Sequence, residues 1–395
     1  MNLSRYIKGD KVIWTIVLFL SIFSILVVYS SIVTLAYKYK SGDTTYYLLK
    51  HSIIIILGLS LMYLTHNIRY TYYSRISQIA LFIAAPLLLF TLIKGASLNE
   101  ASRWLEVPGI GLTFQTSDFA KLALIMYVAR MLSIKQDQIK DFKSAFLPIV
   151  APIIIICSLI LPANFSTAAV LFTTCLVLMF VGRVNIKYIL MLIGTGVIVL
   201  GLFILLIFAF PHISNRVETW KMRIENFQSG NSAGNYQVEQ AKIAIATGGI
   251  VGKGPGKSTQ RNFLPHPYSD FIYAIIIEEY GLIAGVIILF LYIVLFFRAI
   301  RIATKSSKIF AGLLAIGCCF SLVFQAMINM AVAVNLFPVT GQPLPLVSMG
   351  GTSIWFTSIA IGLILSASRE LEKEKVPKKE RQLLDEDDEM VVAVQ

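Results

Sequence analysis

Asp270 is the residue whose type and position point most directly to chemistry. It follows the stretch PHPYS at 265–269, whose two prolines restrict the backbone, and it precedes a long apolar run. Ser and Asp are favoured where a helix begins, so Ser269 or Asp270 could cap the helix that starts here. A carboxylate can also act as a general base, and capping does not prevent this. From the residues alone, both interpretations stay open.

Four more charged residues lie within apolar runs. Asp118 and Lys121 are three residues apart on one helical face, so they could form a local ion pair or present the lysine to an anion in an outward-facing cavity. Glu278 and Glu279 are adjacent and cannot share a face. A carboxylate deep in a membrane is costly, so each glutamate is either paired with a basic residue of another helix or part of a site.

The glycine-rich stretch TGGIVGKGPGKSTQR at 247–261 has some features of the phosphate-binding loop of NTPases. That loop needs G-x-x-x-x-G-K-[ST], and counting back from GKS at 256–258 places Val251 where the first glycine should be. An NTPase is therefore not indicated. The stretch could still bind phosphate, because its glycines allow close backbone approach and Lys257 and Arg261 supply positive charge. A flexible turn with solvated lysines is the alternative.

A second irregular stretch runs from Pro338 to Ser353, between two apolar runs, and carries three prolines and three glycines. Non-helical backbone at membrane depth is tolerated only where it is buried in protein or lines a cavity. We therefore expect this stretch to help form a site.

The composition identifies the chain as a membrane protein. Of its 395 residues, 56% are apolar and 14% are charged, against about 25% charged in soluble proteins. The four cysteines lie in apolar runs, so neither a disulfide framework nor a cysteine metal site is indicated. The net charge of +12 reflects first the basic residues that flank apolar segments, and it does not imply nucleic acid.

About ten apolar runs are long enough to cross a hydrocarbon core of roughly 30 Å. They lie near 12–36, 47–66, 76–93, 117–133, 145–161, 166–182, 188–210, 269–298, 309–334 and 351–368. The sequence thus predicts an all-α polytopic membrane protein with a membrane domain at 1–368. Lysine and arginine concentrate in alternate short loops, which places both termini in the cytoplasm.

The largest segment outside these runs, 211–267, lies between the seventh and eighth spans on the outer face. Apolar residues recur in it at steps of four and three from 213 to 227, which predicts an amphipathic helix at the membrane surface. Residues 237–246 could form a second short helix. The segment 369–395 is first basic and then acidic, which predicts a disordered cytoplasmic tail.

Together these blocks resemble the SEDS family (shape, elongation, division and sporulation), polytopic bacterial proteins that polymerise peptidoglycan glycan strands from lipid II. Six blocks occur in the family's order, up to about Arg369: ASRWL at 101–105, FQTSDFAKL at 114–122, YQVEQ at 236–240, GGIVGKGPG at 248–256, SDFIY at 269–273 with the glutamate pair, and PVTG at 338–341 through GG at 350–351. The stretches 263–270 and 335–353 resemble the cell-division, FtsW-type branch more than the elongation, RodA-type branch.

The resemblance implies an inverting glycosyl transfer in which Asp270 is the general base. Lys121 and Arg103, with Lys257 and Arg261, would hold the leaving pyrophosphate. The residues expected at the substrate are Lys121, Arg103, Lys257, Arg261, Ser269, Glu278, Gln240, Thr340 and Ser348. The sequence shows no dedicated metal cluster, and a divalent cation such as Mg²⁺ or Mn²⁺ could share the pyrophosphate.

Two departures from the family pattern affect this picture. His266 stands where a glutamate is frequent, which argues against a second carboxylate there, and Thr113 stands where an arginine is often found. The resemblance also implies a class B penicillin-binding protein and divisome regulators as partners, in the bacterial cytoplasmic membrane at the division septum. The alternatives are a lipid II flippase, an elongation polymerase and a non-catalytic scaffold.

Overall fold

The computed structural model describes residues 8–39, 42–94, 96–98, 101–107, 112–209 and 236–374. In lipid every backbone polar group must find a partner within the protein, so the apolar runs fold as helices. The helices are α1 Lys11–Ser31, α2 Val33–Tyr39, α3 Thr44–Asn67, α4 Tyr70–Lys94, α5 Thr116–Ile134, α6 Leu147–Ile160, α7 Phe165–Val181, α8 Ile186–Ala209, α9 Tyr236–Gly248, α10 Ile272–Lys305, α11 Ile309–Ala333 and α12 Thr352–Glu374.

This arrangement confirms the polytopic helical membrane fold. Each of the ten predicted spans falls on a helix. Within the described ranges, seven helical stretches are long and apolar enough to cross a membrane, namely Lys11–Ser31, Thr44–Asn67, Tyr70–Ile93, Phe142–Ile160, Ile272–Lys305, Ile309–Ala333 and Thr352–Glu372. Phe165–Val181 and Ile186–Val199 are shorter apolar helices, so a count of ten spans stays a prediction.

A small sheet adds to the predicted all-α architecture. Strands β1 Ala96–Leu98, β2 Ala101–Val107 and β3 Leu112–Gln115 form an antiparallel sheet in the order β1-β2-β3, between α4 and α5. Trp104 is paired with Gln115. The hydroxyl of Thr352, at the start of α12, donates to the carbonyl of Thr113 at 3.1 Å, so the sheet is attached to the helical bundle.

Polar contacts tie the first and last helices together at one end of the bundle. Asp10 caps α1 by accepting from the amides of Val12 and Ile13, and Arg298 of α10 donates to the same carboxylate at 2.6 Å. At the end of α12, Glu372 accepts from the amide of Gly9 at 2.7 Å. The last helix therefore continues past the predicted domain boundary at 368 to Glu374. The rest of the predicted tail lies outside the described residues, as does the predicted amphipathic helix at 213–227.

Helix α10 is broken at Gly281, where φ is 78° and ψ is 174°. The hydroxyl of Tyr273 donates to the carbonyl of Gly285 at 3.2 Å. In a continuous helix these two residues would be about 18 Å apart along the axis, beyond the reach of a tyrosine. The first part of α10, residues 272–280, therefore folds back along the second part, residues 282–305. The predicted single span at 269–298 is wrong in this respect.

Because α10 is broken, Asp270 lies deeper in the bundle than the glutamate pair, which is the reverse of the order in a continuous helix. Helices α1 and α10 meet at Asp10 and Arg298 at one end of the bundle, and the hydroxyl of Ser30 donates to Glu279 some 30 Å further along α1. The glutamate pair thus lies near the opposite end of the bundle. Asp270 lies at the other end of the folded-back part, about 13 Å from Glu279 along its axis and deeper in the bundle. The expectation that the glutamates are the deeper residues is wrong because it assumed a continuous helix.

The glycine-rich stretch provides hydrogen-bond partners for the backbone at this break. Leu282 donates its amide to Gly249 at 2.9 Å, and the carbonyl of Glu278 accepts from the amide of Lys253 at 2.9 Å. Such close approach leaves no room for side chains. A Cβ atom on Gly252 would lie 2.3 Å from the carbonyl oxygen of Glu279, and one on Gly281 would lie 2.1 Å from that of Ile250. At these two positions the lack of a side chain allows two backbone segments to pack together, rather than allowing a ligand to approach.

Gly252→Ala should destabilise the protein more than Gly256→Ala. Both glycines have positive φ, at 90° and 76°, so each alanine carries a backbone strain of about 1–2 kcal/mol. Only at position 252 would the new Cβ meet backbone atoms, whereas nothing lies within 4 Å of a Cβ on Gly256. The melting temperatures of the purified variants in detergent measure the difference, and equal melting temperatures would contradict the packing described here.

Candidate active site

Asp270 lies in the turn before α10 and is half-buried. The hydroxyl of Ser269 donates to its Oδ1 atom at 2.9 Å, and its backbone carbonyl accepts from Nδ2 of Asn329 at 2.9 Å. A Cβ built on Gly341 would lie 3.7 Å from Oδ2, so the absence of a side chain at that position keeps this oxygen accessible. Among the described residues, Oδ2 has no hydrogen-bond partner. One oxygen is thus held and the other is available to accept a proton.

The wall beside Asp270 is the irregular stretch 338–351, which we call the re-entrant segment. Four of its carbonyls accept hydrogen bonds from side chains of three helices: Gln342 from Asn329 at 2.7 Å, Pro343 from Gln325 at 2.9 Å, Pro345 from Tyr292, and Val347 from Ser24 at 2.7 Å. Inside a bundle these carbonyls have no water to bind, so their partners must come from the protein. The segment lies against Asp270, and its part in a site stays a prediction.

The re-entrant segment also holds the backbone next to Asp270. Ser348 donates its hydroxyl to the carbonyl of Ser269 at 2.7 Å and accepts from the amide of Leu344 at 2.8 Å. The amide of Met349 donates to the carbonyl of Tyr268 at 2.9 Å. Ser348 is only 2% exposed, so the structure gives it a positioning role, which differs from the direct substrate contact expected from sequence.

Lys121 joins the same polar network from α5. Its Nζ atom donates to Oε1 of Gln325 at 3.2 Å and lies 3.5 Å from Oδ1 of Asp118. Gln325 and Asn329 are four residues apart on α11, so they lie one above the other on one face. Lys121 and Asp270 therefore bind neighbouring side chains of a single helix. The local ion pair with Asp118 is present, and the presentation of the lysine to an anion stays a prediction.

The polar residues of α11 are the part of the site that the sequence reasoning missed. Gln325 and Asn329 are 4% and 1% exposed, in a helix that is otherwise mostly apolar. Their spacing of four residues in such a helix is the signal that could have identified them. Gln342 was also missed: its side-chain amide donates to the hydroxyl of Thr167, at the start of α7, at 2.8 Å.

The structure assigns Glu278 to the glycine-rich stretch. Its side chain is completely buried and lies 2.6 Å from Nζ of Lys253. It also accepts from the hydroxyl of Ser258, the amide and hydroxyl of Thr259 and the amide of Gln260. The glutamate thus fastens the stretch to α10, which differs from the substrate contact expected. Its ionic partner, Lys253, is in the glycine-rich stretch, whereas the sequence suggested a basic residue on another helix as the partner.

The remaining predicted residues lie in the glycine-rich stretch, α9, the re-entrant segment and β2. Arg261 donates to the carbonyl of Ser30 at 2.8 Å and so joins the loop to α1. Lys257 is exposed, and Gln240 on α9 and Thr340 in the re-entrant segment are half-buried. Arg103 lies in β2, and its side chain is outside the described part of the chain. The structure brings Ser269 and Ser348 to Asp270 and places Lys121 on the neighbouring polar side chain of α11, whereas Glu278 and Arg261 hold the glycine-rich stretch to α10 and α1.

Comparison with known proteins gives a consistent assignment. The family model of FtsW, RodA and SpoVE, described as "Cell cycle protein", matches residues 10–373. A probable peptidoglycan glycosyltransferase FtsW of Trichlorobacter lovleyi is 32% identical over 368 residues, which cover 92% of this chain and 94% of that protein. Stage V sporulation protein E of Bacillus subtilis is also 32% identical, with 91% of this chain and 97% of that protein covered.

Two solved structures share the fold. One, described as "Structural coordination of polymerization and crosslinking by a peptidoglycan synthase complex", has a TM-score of 0.71 at 23% identity and covers 92% of this chain and 98% of its own. The rod shape determining protein RodA of Thermus thermophilus has a TM-score of 0.66 at 22% identity, with 93% and 98% covered.

Asn329→Leu should lower the stability of the folded protein. The substitution keeps the volume of the side chain but leaves the buried carbonyls of Asp270 and Gln342 without their donor, at a cost of about 1–3 kcal/mol for each unsatisfied group. Ser321→Ala on the same helix is the matched control, because the buried Ser321 hydroxyl has no hydrogen-bond partner among the described residues. Thermal unfolding in detergent compares the two. If Asn329→Leu were as stable as Ser321→Ala, the carbonyl contacts would not matter energetically.

Proposed function

This chain belongs to the family of cell cycle proteins that includes FtsW, RodA and SpoVE, and we propose that it polymerises lipid II into glycan strands with Asp270 as the general base. It is a peptidoglycan glycosyltransferase, as its FtsW relatives are named. The observation that carries the proposed role of Asp270 is the network around it. The backbone carbonyl of Asp270 and the Lys121 ammonium bind neighbouring side chains of α11, and the Asp270 carboxylate keeps one accessible oxygen inside the membrane-embedded bundle.

The proposed reaction is an inverting transfer. The 4-hydroxyl of the acceptor GlcNAc attacks C1 of the donor MurNAc, the bond from C1 to the pyrophosphate oxygen breaks, and undecaprenyl pyrophosphate leaves. Oδ2 of Asp270 accepts the hydroxyl proton, while the hydrogen bond from Ser269 keeps the other oxygen in place. The proton passes to solvent after the product has formed.

The leaving pyrophosphate needs positive charge more than it needs a proton donor. Lys121 is 6% exposed, and a phosphate oxygen could replace Gln325 as the acceptor of its ammonium, because a hydrogen bond between two charged groups is the stronger one. Lys257 is exposed on the outer side and can approach a second phosphate. We assign Lys121 as the main pyrophosphate ligand, with Lys257 and Arg103 as further candidates.

A divalent cation is compatible with this site. In the described ranges, no three His, Cys, Asp or Glu side chains are grouped to hold a metal ion. Mg²⁺ is often bound by one or two carboxylates together with substrate phosphates. Asp118 could provide one such ligand, since its buried Oδ2 atom has no hydrogen-bond partner among the described residues. A bound cation would neutralise charge on the pyrophosphate.

We further propose that the chain acts in cell division at the septum of the bacterial cytoplasmic membrane, with both termini inside. The FtsW relatives and the distribution of basic residues support this assignment. A class B penicillin-binding protein is the proposed partner, supported by the fold shared with a peptidoglycan synthase complex. Divisome regulators would act on the pair.

Asp270→Asn should abolish polymerisation of labelled lipid II by the purified protein with its transpeptidase partner. The amide cannot accept the acceptor proton, and loss of a general base lowers a rate by about 10²–10⁴-fold. Asp137→Asn, the same chemical change in an exposed turn after α5, is the control and should leave polymerisation unchanged. Product length on gels and the initial rate are the measurements.

Two results would contradict the proposal. Equal rates for the native chain and Asp270→Asn would remove this carboxylate from the chemistry. Absence of polymer from the native complex, with movement of lipid II across proteoliposomes, would instead make the chain a flippase.

A further inference from the structure

A buried serine contacts the re-entrant segment from α1, and a buried histidine contacts that serine from α3. Ser24 of α1 donates its hydroxyl to the carbonyl of Val347 at 2.7 Å, and the same hydroxyl oxygen lies 2.9 Å from Nε2 of His51 on α3. Ser24, His51 and Val347 are all 0% exposed. The proposed mechanism does not use this pair, and neither residue was singled out by the sequence analysis.

The hydrogen bonds fix which nitrogen of His51 carries the proton. A serine hydroxyl has one proton, and Ser24 gives it to the carbonyl of Val347. The short contact with His51 is therefore a hydrogen bond from Nε2–H to the serine oxygen. Nδ1 of His51 has no partner among the described residues, so a second proton there would be a buried donor without an acceptor. His51 is thus a neutral donor through Nε2.

The chain of contacts continues from Val347 to the site. The next residue, Ser348, donates to the carbonyl of Ser269, whose own hydroxyl holds Oδ1 of Asp270. The Val347 carbonyl lies in a turn whose neighbouring residue Leu346 has a φ of 64°, an uncommon value for a residue with a side chain. A turn of this kind persists only when the contacts around it determine its geometry.

We propose that His51 is a positioning residue for the base: by donating through Nε2 it orients the Ser24 hydroxyl onto Val347, and so fixes the turn that places Asp270. The proposal rests on the proposed function of Asp270. It assigns a role to helix α3, which four hydrogen bonds and the Val347–Ser348 backbone connect to the Asp270 carboxylate. It also requires a donor at the position of Nε2 and none at the position of Nδ1.

Two substitutions of His51 distinguish these requirements. The side-chain amide nitrogen of His51→Gln can occupy the position of Nε2 and donate to Ser24, whereas the shorter amide of His51→Asn reaches only the position of Nδ1. His51→Gln should retain at least half of the native polymerisation rate. His51→Asn should lower kcat about tenfold or more with KM for lipid II within twofold of native, because a displaced base slows the chemical step without removing a substrate contact.

Hydrogen exchange gives a readout that does not depend on activity. Peptides covering 342–350 should exchange faster in His51→Asn than in the native chain and at the native rate in His51→Gln, while peptides from α8 stay unchanged in all three. Ser24→Ala should reproduce the effect of His51→Asn, and the double variant Ser24→Ala, His51→Asn should be no slower than either single variant. Melting temperatures show whether each variant is folded.

The outcomes separate this inference from the proposed function. Native exchange of 342–350 in folded His51→Asn would overturn it even if Asp270 proves to be the base. Equal losses of rate in His51→Gln and His51→Asn would also overturn it, because the donor at Nε2 would not be the feature that matters. If the native complex makes no polymer, the proposed function fails, and the exchange data still decide whether His51 fixes the turn.

Discussion

Non-helical backbone inside a membrane must find a hydrogen-bond partner for each carbonyl that it leaves unpaired, and residues 338–351 are where this protein meets that constraint. The partners come from α1, α10 and α11, through Ser24, Tyr292, Gln325 and Asn329. These four bonds tie three helices to the same short segment. The helices that surround Asp270 are therefore held in register by the segment they stabilise, and a change in any one of them reaches the carboxylate through few contacts.

The break at Gly281 also leaves backbone groups unpaired, and here the partners come from a different element. Helical carbonyls that lose their own donors receive amides from the glycine-rich stretch, and the buried Glu278 is neutralised by Lys253. This anchor allows residues 272–280 to fold back, which carries Asp270 down into the bundle. The glycine-rich stretch, whose glycines and lysines suggest phosphate binding, thus mainly stabilises the broken helix α10.

The sequence was sufficient for the helical membrane fold and for Asp270, Lys121 and the re-entrant segment as candidates, because each depends on local composition. It could not reveal the reversal at Gly281, since a glycine within a long apolar run is also compatible with a straight helix. That reversal is why the depths expected for Asp270 and Glu278 were wrong. Ser348 was expected to contact the substrate for a related reason. Its burial and its contacts with the backbone depend on the tertiary structure, and residue type alone does not determine them.

The central claim is that Asp270 acts on the acceptor proton while Lys121 binds the donor pyrophosphate, within one network on α11. The most direct test is equilibrium binding of lipid II to the purified complex, comparing the native chain with Asp270→Asn and Lys121→Met at matched folding. The account predicts that Asp270→Asn binds within about twofold of native, whereas Lys121→Met binds about 10- to 100-fold more weakly, as expected for loss of a charge-assisted contact. Binding lost in Asp270→Asn and retained in Lys121→Met would contradict it, because the two residues would then have the opposite roles.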